Sequence, residues 1–196
     1  MNQVQTNATA IEPADDSTLA RILRRDRLLP KEVAHTVRSL AADAAKNDPR
    51  FHTWARQRIA YLTTGQEGRA QIPYAELSAS RVFLALVRDV VRYAKDPKDV
   101  ELIYHPSRVM DQIMKQGAFA GDCDDITAFA CACFESIDLS VQAKLVSLHA
   151  DYPDRHTHIF PQVWLSNAWV GIDPTLSDEE ATQMADHIVE ETVYLV

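Results

Sequence analysis

Gly117-Ala-Phe-Ala-Gly121-Asp-Cys123-Asp-Asp125 is the stretch that decides the fold. A glycine-bounded loop runs into a cysteine, and an apolar period follows at once. Ile126, Phe129, Ala130, Cys133 and Ile137 recur at helical spacing. Cys123 therefore stands at a helix start. Unpaired N–H groups and the helix dipole stabilise negative charge there. A thiolate is such a charge, and so is an oxyanion formed during acyl transfer. Gly121 lets a substrate backbone come close. Asp122, Asp124 and Asp125 pull the other way, because neighbouring carboxylates disfavour a thiolate. Read as helix caps, they hydrogen-bond the loop instead. They lack the interleaved oxygen spacing of a calcium loop. On position alone, Cys123 reads equally well as a buried, inert thiol.

Upstream, the pattern is helical. Asp16, Ser17 and Thr18 offer N-caps, and Leu19, Ile22, Leu23 and Leu28 give a partial stripe up to Pro30. Val33, Val37, Leu40 and Ala44 predict a helix over 31–46. Pro49 starts another, carrying Phe51, Trp54, Ala55, Ile59 and Leu62. A fourth is predicted from about Glu76 to Lys95, stopped by Asp96-Pro97. Val100–Tyr104 is a short apolar run, and Pro106 opens a helix through Met114. Downstream the period changes. Val141, Ala143, Leu145 and Ser147 alternate with polar neighbours. His158 to Leu165 and Ala168 to Ile172 are further strands, joined by a tight Ser166-Asn167 turn. Residues 178–187 read as a short acidic helix, and Val193–Val196 as a closing strand. Residues 1–16 read as a polar tail, and 17–196 as a single domain with a helical N-terminal extension. The expected class is α+β: a helical N-terminal layer and a cysteine-bearing helix packed on a small antiparallel sheet.

The chain has 196 residues, 28 acidic against 20 basic side chains, and three cysteines. A net charge of −8 speaks against nucleic acid as a partner. Apolar runs such as Val82–Val87 reach no more than seven residues, and the start has no secretion-signal pattern, so no membrane partner is expected. The protein reads as soluble and made in a cytoplasm. Three thiols cannot all pair within the chain. Cys131 and Cys133 read as packing residues. His156-x-His158 with Cys123 or Asp173 is the best metal set, but Cys123 lacks a C-x-x-C partner, so no metal and no cofactor is expected.

A nucleophilic thiol needs a base. His158 heads one strand, and Asp173 follows the tail of the next. Their hairpin brings the two together, so Asp173 can fix the imidazole tautomer while the other nitrogen faces Cys123.

Gly121-Asp-Cys123-Asp-Asp125, His158-Ile-Phe-Pro-Gln-Val163 and Asp173-Pro-Thr175, with Trp169 between, resemble the transglutaminase-like superfamily, whose fold is related to papain-like cysteine proteases. The resemblance covers roughly 80–176. Val90-Val-Arg-Tyr93, Asp96-Pro97, Val100-Glu101 and Pro106 are similar to bacteriophage-encoded members. It implies a transglutaminase-like core with Cys123 as nucleophile, His158 as base and acid, and Asp173 as orienting residue. Backbone N–H groups about Cys123 and Asp124 would bind the oxyanion, with Gln116 or Tyr104 as second donor, and Trp169 would shape the substrate groove. The implied activity is cysteine-dependent acyl transfer on a peptide or protein amide, with hydrolysis expected over crosslinking. Two alternatives stand beside it. One is a virion or assembly protein that uses the fold structurally among other phage structural proteins. The other is a peptidoglycan-directed amidase or peptidase.

Overall fold

The computed structural model describes residues 20–24, 30–64, 87, 90–96, 100–147, 157–165, 167–176 and 190–194. The expected tail 1–16, His149, His156, Ser166 and the helix over 178–187 lie outside the described residues. In chain order the elements are β1 (Ala20–Arg24), α1 (Pro30–Asn47), α2 (Pro49–Thr64), β2 (Val91–Tyr93), β3 (Val100–Tyr104), α3 (Pro106–Gln116), β4 (Phe119–Gly121) and α4 (Cys123–Glu135). They continue with β5 (Val141–Ser147), β6 (His158–Leu165), β7 (Ala168–Gly171) and β8 (Glu190–Tyr194). The architecture is α+β.

Helix boundaries follow local chemistry. Asp48 caps α2: its Oδ1 accepts from the N–H groups of Arg50 (2.8 Å) and Phe51 (3.1 Å). Ser107 Oγ donates to the other oxygen at 2.6 Å, which ties the starts of α2 and α3 together. Burial opposes the Asp48 charge, but these three hydrogen bonds hold its carboxyl below the usual range. Imidazole caps α3: His105 Nδ1 accepts from Ser107 N at 3.2 Å. Gly117 closes α3 in the left-handed region (φ 76°), where its N–H reaches Ile113 O.

Helix α4 is the core of the molecule. The sequence predicts one apolar stripe, but every residue from Asp124 to Phe134 is buried. A helix enclosed on all sides must be covered on all sides. Phe51, Ala55 and Ile59 of α2 share one cluster with Phe129, Ala130, Cys133 and Phe134, together with Val163, Leu165 and Ile172 of the sheet side. Val37 and Leu40 of α1 cluster with Ala128 and with Leu145 and Ile159. The small side chains of Ala128, Ala130, Cys131 and Ala132 make such close approach possible.

The main sheet has the order β7-β6-β5-β8, antiparallel throughout. In the β6–β7 hairpin Gln162 faces Gly171 and Trp164 faces Trp169. Asn167 takes the positive φ of the turn (66°).

Three expectations are corrected in the N-terminal half. Residues 20–24 are a strand, not part of a helix, and they pair antiparallel with β3. A partial stripe is too weak to hold a helix alone, and the edge of β3 offers backbone partners instead. The predicted fourth helix ends early: Val87 and Val90 are helical, but Val91–Tyr93 is extended. That strand pairs in parallel with Phe119–Gly121, so the predicted loop before Cys123 contains β4. Ala94 N continues the ladder to Gly121 O at 2.9 Å.

The β4–α4 corner is tightly filled. A Cβ on Gly121 would stand 2.5 Å from Asp125 Oδ2 and from Phe119 Cε1. Both neighbours are buried, so neither can swing into solvent. Gly121→Ala is expected to cost about 1–3 kcal/mol, the usual range for overpacking. A urea midpoint unchanged from the parent would show that the corner can relax.

Candidate active site

Cys123 is the first residue of α4 and is half-buried. Strand β4 aims it, because its pairing with β2 fixes the chain two residues before the cysteine. The opposite wall is β6, with His158 at its head. Thr127, one turn beyond Cys123, joins the two walls. Its Oγ1 lies 2.6 Å from Cys123 O and 3.1 Å from Ile159 O, so one hydroxyl hydrogen serves two carbonyls, one on the helix and one on the sheet. Sequence reasoning missed this residue. The available signal was a threonine four positions after the cysteine, on the same helix face.

His158 and Asp173 meet across the hairpin. His158 Nε2 and Asp173 Oδ2 are 2.5 Å apart, and their side chains are only 12% and 4% exposed. Ile172 N donates to Pro161 O at 2.9 Å, which extends the β6–β7 ladder and carries Asp173 back toward the strand head. Asp173 Oδ1 accepts from Thr175 N (2.9 Å) and from Thr175 Oγ1 (2.6 Å). The Asp-Pro-Thr sequence thus locks its own carboxylate. Phe160 stacks on the imidazole with ring centres 5.9 Å apart. Nε2 is engaged by Asp173, and the Cys123 sulfur is near enough to the ring to favour its charged form.

Burial opposes a charge on His158. The Asp173 hydrogen bond, then the Cys123 contact, outweigh it and push the imidazole up to about 10. The ring is a cation at neutral pH. A histidine raised in this way contributes stability fully below its ordinary value near 6.5, and that contribution is lost as pH rises through about 10.

The other thiols differ. Cys131 and Cys133 are wholly buried. Burial pushes Cys131 up to about 11 and Cys133 well above the ordinary thiol value.

The three aspartates do not act as simple caps. Asp122 occupies the N-cap position but makes no side-chain cap hydrogen bond. Asp124 Oδ1 accepts from Asp125 N at 2.8 Å. Asp125 Oδ1 reaches across to β3 and accepts from Tyr104 N at 2.7 Å. Burial first, then neighbouring carboxylates, pushes Asp124 well up. Burial raises Asp125 to about 8, against the lowering effect of the Tyr104 N–H.

The remaining sequence candidates are dispersed. Gln116 is exposed at the end of α3. The Tyr104 ring packs edge-on against Phe119 at 5.8 Å, with the Arg108 guanidinium 4.6 Å above it. Among the described residues no hydrogen bond joins either side chain to Cys123. The Asp124 side chain is buried, so only its backbone N–H is left for an oxyanion. Trp169 is exposed on β7 and packs edge-on against Trp164 at 5.3 Å.

No protein-family profile matches the chain, and no curated protein matches it. Among solved structures it is similar to a Cytophaga hutchinsonii protein described as a candidate cysteine protease. The identity is 13% and the TM-score 0.41, over 80% of this chain and 49% of that one. The chain thus spans about half the length of the structure it matches.

Proposed function

We propose that the protein is a cysteine-dependent acyl-transfer enzyme that hydrolyses amide or peptide bonds, with Cys123 as nucleophile, His158 as acid and base, and Asp173 as the orienting carboxylate. The observation that carries this reading is the His158–Asp173 contact through Nε2, with the Cys123 sulfur at the same ring. The resemblance of these segments to the transglutaminase-like superfamily points the same way. A cationic imidazole beside a sulfur stabilises the deprotonated thiol.

The Cys123 thiolate attacks the carbonyl carbon, forming the C–S bond and an oxyanion. The N–H groups of Cys123 and Asp124 can receive that charge, since Asp125 N already donates to Asp124 Oδ1. The C–N bond breaks, and His158 gives its proton to the leaving amine. Water attacks the thioester while His158 takes a proton from it. The C–S bond breaks, which releases a carboxylic acid and restores the thiolate–imidazolium pair. An amine in place of water would give a crosslink by the same steps.

Alkylation tests the nucleophile. At pH 7 iodoacetamide is expected to label Cys123 while buried Cys131 and Cys133 stay unlabelled in the folded protein, and His158→Ala is expected to slow that labelling at least about tenfold. A parent rate no faster than that of the variant would remove the basis for the pairing of thiol and imidazole. Labelled casein, alone and with dansylcadaverine, separates hydrolysis from amine transfer.

A further inference from the structure

The ladder between β6 and β7 stops before it reaches the histidine. Its last rung is Ile172 N donating to Pro161 O at 2.9 Å. Beyond that rung the chain turns away and carries Asp173 to His158. Carbonyls two positions apart along a strand point to the same side. Ile159 O therefore faces the side that β7 has left. It is a backbone acceptor on a buried residue, so it needs a donor from elsewhere. The Thr127 hydroxyl stands there, with Oγ1 at 3.1 Å. A threonine inside a helix ordinarily spends its hydroxyl on the carbonyl four residues earlier. Thr127 does so with Cys123 O at 2.6 Å, and reaches the strand as well. Cys123 carries the thiol, and Ile159 directly follows the residue that carries the imidazole. The hydroxyl is thus tied to the backbone of both reacting groups.

We propose that Thr127 is a positioning residue for the nucleophile: by bridging the Cys123 and Ile159 carbonyls, its hydroxyl sets the separation of the Cys123 sulfur from the His158 ring. This role rests on Cys123 and His158 acting as one reacting pair. Apolar packing also holds α4 against β6, with Phe129 and Val163 in one cluster and Ala128 and Ile159 in the other. Such packing is non-directional and fixes no single distance. A hydrogen bond has a preferred length and angle, so it can fix one. Precision matters at this point, because a misplacement of about 1 Å can cost about 100-fold in rate. Threonine suits the task, since its branched side chain has few rotamers in a helix. Its side chain is only 1% exposed, so water does not compete freely for the two carbonyls. Valine would keep the shape and leave Ile159 O without this donor.

The experiment compares Thr127→Val with Thr127→Ser in the full chain, each shown folded by circular dichroism. Labelling of Cys123 by iodoacetamide at pH 7 is expected to slow at least about tenfold in Thr127→Val. Thr127→Ser keeps the hydroxyl and should recover most of that loss. Histidine NMR gives a readout that a mere loss of stability would not move. In folded Thr127→Val, His158 should titrate lower than in the parent, because the sulfur no longer favours the charged ring while Asp173 still does. Parent-like labelling and titration in Thr127→Val, with labelling slowed in His158→Ala, would overturn the bridge and leave the reacting pair standing. Labelling unslowed in His158→Ala would remove the pair and this role with it. A serine variant as slow as the valine one would assign the effect to methyl packing and equally overturn the proposal. Thr127→Ala replaces the valine variant if that does not fold. Failure of both to fold would make the hydroxyl a residue of stability alone, against the positioning role.

Discussion

Cys123→Ala is expected to abolish amide turnover, a fall of about 10⁴-fold or more, as for other nucleophiles that act as one unit with their base. The stability of the variant should stay close to the parent. The thiol is half-buried, and the links between α4 and β6 run through Thr127 and the Cys123 carbonyl, which alanine keeps. Asp173→Asn is expected to lose about as much activity by a different route. The amide can still meet His158 Nε2, but it carries no charge, so the imidazole should titrate far below about 10. Histidine NMR reads that shift directly. Full activity in either variant with a substrate that the parent cleaves would end the triad reading. A Cys123→Ala variant that also unfolds at a much lower denaturant concentration would point to a packing role for the thiol.

The second large effect concerns stability. Arg38 of α1 pairs with Glu135 at the last turn of α4, with both side chains largely buried (5% and 12% exposed). Burial opposes the Arg38 charge, and the Cys131 sulfur and Glu135 carboxylate outweigh it. Its Nε and Nη1, and Glu135 Oε2, lack hydrogen-bond partners, so the pair is incompletely satisfied. Both residues line a polar cavity of about 610 Å³ with Asp43, Lys46 and His105. Arg38→Met should cost about 3–5 kcal/mol, because it leaves a buried carboxylate alone. Arg38→Met with Glu135→Leu should recover most of that loss, since two apolar side chains replace an imperfect ion pair. Urea midpoints of the two variants decide the matter. A single variant within about 0.5 kcal/mol of the parent would mean that water in the cavity already solvates Glu135.

What could be read from the sequence was local. Pro30, Pro49 and Pro106 mark helix starts that the structure keeps. The expected hairpin is present: Leu165 pairs with Ala168, and that register carries His158 and Asp173 toward each other. The errors lie where distant segments meet. β1, β2 and β4 are three to five residues long and exist through pairing with partners far along the chain. Nothing within such a segment announces its partner. The same holds for the aspartates. Local rules make them caps, whereas Asp125 bonds to Tyr104 N and Asp122 lies beside Asp96 and Glu101. The burial of α4 on every face was hidden too, since alanine and cysteine suit a half-covered helix equally well.

The Thr127 hydroxyl has a consequence for biosynthesis. It spans carbonyls 36 positions apart, one on the element that bears the thiol and one on the strand that bears the imidazole. Synthesis runs from the N-terminus, so the cysteine leaves the ribosome well before its histidine. During that interval the sulfur lacks the imidazole proposed to activate it and reacts only as an ordinary thiol. The chemistry proposed for the site is switched on by the docking of two separately made layers, which makes thiol reactivity a direct reporter of completed folding.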